Sequence, residues 1–84
     1  MISILLVDDE VQFLEVTRMF LEKGRGIRVT TANSGEQALE LLGNHKFDAI
    51  ISDYAMPGMN GIEFMKRVKA MGDDTPFIIF TGKG

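Results

Sequence analysis

The sequence predicts an α/β fold: a doubly wound parallel sheet with helices on both faces. Three observations lead there. Four short runs rich in β-branched or aromatic residues, Ile2–Val7, Ile27–Ala32, residues 47–52 and Phe77–Phe80, have the length and composition of strands. Segments of helical period lie between them, giving the order β-α-β-α-β-α-β, an alternation that implies parallel strands joined by right-handed crossovers. Three of the four runs are nearly continuous in apolar character rather than alternating, as strands covered on both faces are.

Each element has its own local reason. The first strand runs into three acids, Asp8, Asp9 and Glu10, in the stretch "LLVDDE". Glu10 suits the first turn of the helix that follows, where an acid is favourable to the helix dipole. In that helix Phe13, Leu14, Thr17, Phe20 and Leu21 recur on one face, the expected core face, with Glu15, Arg18 and Glu22 opposite. Gly24 and Gly26 stop it. The second strand carries Arg28, Thr30 and Thr31, a polarity that suits a sheet edge. The second helix opens with "SGEQ", where Ser34 can cap and Gln37 can reach back, and continues through Ala38, Leu41 and Leu42. The third strand ends at Asp53, and the third helix opens with "NGIE", placing Asn60 and Glu63 in the same capping relation before Ile62, Met65 and Val68. The fourth strand closes on Thr81.

Composition narrows the class. An 84-residue chain with 45% hydrophobic and 25% charged residues and a net charge of -3 reads as one small soluble domain spanning 1–84. The absence of cysteine excludes a disulfide framework and a thiolate metal site. Scattered Lys and Arg within an acidic total argue against a nucleic-acid surface. There is no basic leader before the first strand and no apolar run near the roughly 20 residues of a membrane span, so the expectation is a cytoplasmic protein with no membrane contact. The six methionines are expected mainly at core or loop positions, and His45 in a solvated turn.

The acids carry the chemistry. Doubly wound sheets gather polar function at the carboxyl ends of their strands, where strand order reverses. If the first and third strands are neighbours, Asp8, Asp9 and Asp53 converge there. Such anions repel by about 4 kcal/mol per close pair at an intermediate dielectric, and a cation resolves the conflict. Ligands that are all oxygen, with open positions for water, suit Mg²⁺. Taken singly, an Asp at a strand end is more often a turn former or a helix cap, and Asp9 could cap the first helix. Thr81 alone reads as a strand-end turn residue. Pro57, Gly58 and Gly61 read as turn formers without a chemical role.

The stretches "LLVDDE", "DAIISDYAMPGMNGIEFM" and "PFIIFTGKG" resemble the receiver domain of two-component response regulators, over the whole chain and in the family's order. The resemblance implies a flavodoxin-like fold and a phosphoryl group accepted from a histidine kinase. It implies that Asp53 is the phosphoacceptor, that Asp9 binds Mg²⁺ directly and that Asp8 binds it mainly through water. Further roles fall to the backbone carbonyl of Ala55 as a ligand and to Thr81 as the switch hydroxyl. The implied protein is not a turnover enzyme, since it assists only its own phosphorylation and dephosphorylation.

The sequence departs from the family after "FTGKG", lacking the fourth helix, fifth strand and fifth helix of complete receivers, α4-β5-α5. The lysine that closes the fifth strand in the family is missing too, and Lys83 does not match its position. The expectation is therefore the N-terminal portion of a receiver whose hydrophobic fourth strand is an exposed edge, covered in a homodimer or strand-exchanged oligomer, or a truncated form of a longer protein. An alternative is a phosphorylation-independent interaction module with the same fold. A metal-dependent phosphohydrolase ranks last, because neither a D-x-D general acid nor a cap segment is present.

Overall fold

In a computed structural model that describes residues 1–24 and 26–81, the chain folds as β1 (Ile2–Val7), α1 (Val11–Glu22), β2 (Ile27–Ala32), α2 (Gly35–Asn44), β3 (Ala49–Asp53), α3 (Gly61–Ala70) and β4 (Phe77–Phe80). The strands form one parallel sheet in the order β2-β1-β3-β4. Strand order reverses between β1 and β3, as the doubly wound reading requires. The polar β2 is an edge, as expected, and β4 is the other.

Alternation along β1 assigns the two layers. Leu5 and Val7 point to one face, where with Ile50 they meet Ala38 and Leu42 of α2 and Phe64 and Val68 of α3. Leu6, with Ile4 packed beside it, points to the other face, where Leu14 of α1 and Val29 complete a smaller cluster. Phe64 is fully buried, and its ring meets Phe77 edge-on with centroids 5.2 Å apart. Two helices thus cover one face of the sheet and a single helix covers the other.

That asymmetry corrects the expected core face of α1. Leu14 is buried and Phe13, Thr17 and Leu21 are half-buried, but Phe20 is 72% exposed. The ring of Phe13 rests on Phe80 at 5.7 Å, at the carboxyl end of β4. Phe20 lies further along a helix that runs antiparallel to the strands, toward the end of β4 where Ile78 is itself 55% exposed. Nothing among the described residues covers it. Glu22 is not opposite the core either: it accepts from the Val29 amide at 2.9 Å while pairing with Arg18 at 3.0 Å. Met19 is exposed beside Val16 and Phe20, so it too departs from the core-or-loop expectation.

Helix starts follow the capping logic with one shift. Asn60 and Glu63 form a complete capping box. Ser34 Oγ accepts from the Gln37 amide at 3.1 Å, but the Gln37 side chain accepts from the Asn33 amide, one residue ahead of the cap. β3 begins at Ala49 rather than at 47. The reason is Asp48, whose carboxylate accepts from the Ser3 amide at 2.8 Å and so stands in for a ladder carbonyl. Among the described residues no helix is long and apolar enough to cross a membrane.

Candidate metal centre

The last register pair between β1 and β3 is Val7 with Ser52, so the next residues, Asp8 just past β1 and Asp53 at the end of β3, stand side by side at the carboxyl edge of the sheet. Asp8 is held in line by its amide, which donates to the Ala32 carbonyl at 3.1 Å. The side chains of Asp8, Asp9 and Asp53 each offer a carboxylate oxygen, and these oxygens lie within 4.8 Å of one another. Asp8 is 0% and Asp53 2% exposed, whereas Asp9 faces solvent. One wall of the centre is therefore buried and the other open.

The local sequence explains how two of these acids are held. Asp9 does not cap α1. The N-cap is Glu10, whose side chain makes no capping hydrogen bond, and the Glu10 amide donates to Asp8 Oδ1 at 2.9 Å. Around Asp53 the backbone is tied on three sides. Ser52 Oγ donates to the Asp53 carbonyl at 2.9 Å, the Tyr54 amide to the Phe80 carbonyl at 3.0 Å, and the Gly61 amide to the Tyr54 carbonyl at 2.9 Å. Asp53 pairs in register with Phe80, so Thr81 follows at the same end of the sheet, exposed and one residue past that partner. Ala55 lies two residues beyond Asp53 in an exposed part of the loop, ahead of the buried Met56 and Met59. Lys83 lies outside the described residues. His45 sits after α2 and before β3, at the opposite end of the strands, and is exposed.

The donor set fits a hard divalent cation. All three side chains offer oxygen, no imidazole or thiolate is near, and the carboxylates stand close enough that a positive charge between them removes a mutual repulsion.

Comparison with known proteins decides the family. The model of the response regulator receiver domain matches residues 4–84. The chain belongs to this family. It is 37% identical over 83 residues to the response regulator SaeR of Staphylococcus aureus, covering 99% of this chain and 36% of that protein, so it spans about a third of the length of that relative. Among solved structures it is similar to the Vibrio cholerae chemotaxis protein CheY4, with a TM-score of 0.91 and 35% identity over 100% of this chain and 71% of that one. It is also similar to the Thermotoga maritima response regulator TrrA in complex with Mg²⁺ and BeF, with a TM-score of 0.89 and 32% identity over 100% of this chain and 72% of that one.

In this receiver domain the acids predicted from the sequence do meet. Sequence reasoning did not see how the β3–α3 loop is seated. Gly61 lies against the Asp53 carbonyl, and Met59 packs over Gly35 at the start of α2. The two glycines read in sequence only as turn or helix-start residues, and no periodic pattern marks a position defined by an absent side chain.

Proposed function

We propose that this receiver domain accepts a phosphoryl group on Asp53 from a phosphohistidine of a histidine kinase, with Mg²⁺ as the cofactor. The observation that carries the reading is the convergence of three carboxylates within 4.8 Å around an Asp53 that is almost fully buried. In the transfer a carboxylate oxygen of Asp53 attacks phosphorus, a P–O bond forms, the P–N bond to the kinase imidazole breaks, and the electron pair leaves with the imidazole nitrogen. Asp8, Asp9, Asp53 and the Ala55 carbonyl are the groups to hold Mg²⁺, which when bound supplies neutralisation of the phosphoryl oxygens. On this reading the hydroxyl of Thr81 donates to the phosphoryl oxygens of phospho-Asp53, which together carry roughly two negative charges.

The protein on this reading is a cytoplasmic signalling module, not a turnover enzyme. On this reading the outer edge of β4, which no described residue pairs, with its uncharged "FIIF" and exposed Ile78, is covered by the same edge of a second copy or by further chain of a longer protein, and self-pairing is the form proposed for this chain.

The deciding experiment incubates the protein with Mg²⁺ and a small-molecule phosphodonor and weighs the intact chain. A mass gain of one phosphoryl group that vanishes in Asp53→Asn, or on chelation, is expected. An unmodified wild-type chain refutes the phosphoacceptor reading, and partner binding indifferent to Asp53→Asn would favour a phosphorylation-independent interaction module.

A further inference from the structure

We propose that Gly61 and Gly35 are positioning residues of the carboxylate centre. Their bare α-carbons set how deeply residues 54–60 seat and, through that loop, where the Asp53 carboxylate stands relative to Asp8 and Asp9. The inference rests on the Mg²⁺-binding reading above and adds to it two residues that touch neither metal nor phosphoryl group.

The warrant is spatial. A Cβ on Gly61 would stand 2.6 Å from the Asp53 carbonyl oxygen, 3.0 Å from the Tyr54 Cα and 3.3 Å from the Asp53 carbonyl carbon. All three are backbone atoms of the nucleophile-bearing segment, and none can rotate away. Gly61 lies outside the positive-φ glycines, Gly26, Gly58 and Gly72, so room rather than backbone conformation demands glycine here. A methyl group at 61 must push either α3 outward or the Asp53–Tyr54 peptide inward. α3 is anchored by Phe64 and Val68, which are buried in the main core, and by the Asn60–Glu63 capping box. The Asp53–Tyr54 peptide, bonded from Ser52, to Phe80 and from Gly61, carries the very atoms the methyl group would meet, so part of the displacement falls on Asp53.

At the other end of the loop, a Cβ on Gly35 would stand 2.7 Å from Met59 Sδ and 3.3 Å from its Cγ. Met59 is buried, but its thioether is flexible, so the disturbance there is milder. Gly43, also in α2, has nothing within 4 Å of its Cβ position and serves as the control for helix propensity alone.

The test uses MgCl₂ alone, without phosphodonor, on the full chain. Tyr54 adjoins Asp53 and is the single tyrosine in a chain without tryptophan, so its fluorescence reports the titration, with calorimetry as the cross-check. Displacing the support of a metal ligand typically costs about tenfold in affinity, and that is the loss expected for Gly61→Ala, with roughly threefold for Gly35→Ala and none for Gly43→Ala. A folded Gly61→Ala that binds Mg²⁺ within about twofold of wild type overturns the inference, even if its melting temperature falls, because a purely structural role moves stability without moving affinity. If circular dichroism shows Gly61→Ala unfolded, Gly35→Ala decides: weakened Mg²⁺ binding supports the inference and wild-type binding overturns it. A wild-type chain that shows no Mg²⁺ titration refutes the parent reading together with this one. Wild-type binding lost in Asp53→Asn but intact in both glycine variants refutes this inference alone.

Discussion

Asp53→Asn removes one negative charge from the centre while keeping the shape of the side chain, so it isolates what crowding three carboxylates costs the fold. At 4.8 Å, the upper bound on the separation of their facing oxygens, and an effective dielectric near 20, two unit charges repel by about 3.5 kcal/mol. The pair that counts is Asp53 with Asp8, both buried; Asp9 faces solvent, where screening leaves little. Hydrogen bonds that favour each carboxylate, such as the Glu10 amide on Asp8, offset part of this repulsion. A net gain of about 1 to 3 kcal/mol is therefore expected for Asp53→Asn without metal, and at about 4 to 8 °C per kcal/mol for a domain of this size the melting temperature should rise by at least ~4 °C. Metal reverses the comparison. Mg²⁺ at ten times its dissociation constant stabilises the wild type by about 1.4 kcal/mol, and the variant should lose most of that increment. The assay is thermal melting by circular dichroism in EDTA and in MgCl₂. A variant that melts at or below the wild-type temperature in EDTA, or that gains as much as wild type from Mg²⁺, refutes the electrostatic reasoning.

The remaining predictions concern the core, the amino end of β4 and its edge. Phe64→Ala empties the centre of the larger core, where Phe64 is 0% exposed, and should cost about 3 to 5 kcal/mol, seen as a large drop in urea midpoint; a loss under about 1 kcal/mol would mean the core does not depend on it. Asp73 is held below its ordinary value by the hydroxyl and then the amide of Thr75, so its contribution is present above 3.8, the unfolded value, and fades as pH falls through the lower folded value. Asp73→Asn should flatten that acid limb of the urea midpoint against pH, and an unchanged limb would rule the bond out as a stabilising contact. Sedimentation at high concentration should show wild-type dimers, dissociated by Ile78→Lys, which places a charge on the β4 edge; a wild-type monomer throughout rejects edge pairing.

Most of the fold was legible because the two chain periodicities are rarely ambiguous when they alternate. The apolar runs of β1 and β3 and the capping signals at Ser34 and Asn60 each point to one structure. What could not be read was which part of an amphipathic stripe finds a partner. Phe13 and Phe20 look alike in α1, yet only Phe13 meets Phe80, because that depends on how far β4 reaches along the sheet. Likewise Asp48 reads as a strand residue until its carboxylate is seen to occupy a place in the ladder.

The site divides along the same line. Its chemistry was legible because charge at the end of a buried run is anomalous: Asp8 and Asp53 close the two central strands, and burying two carboxylates side by side at 0% and 2% exposure calls for compensating partners, which a shared cation supplies on the reading proposed above. Its support was not legible, because it consists of atoms that are missing. The Gly61 amide can donate to the Tyr54 carbonyl at 2.9 Å only if α3 begins so close to β3 that a Cβ on Gly61 would stand 2.6 Å from the Asp53 carbonyl oxygen. The helix in turn comes that close because Phe64, three residues on, is drawn fully into the core. Burial of one aromatic ring thus draws the loop onto the strand end, and the glycine lets it arrive, so the geometry of the carboxylates is set by the hydrophobic core beneath them.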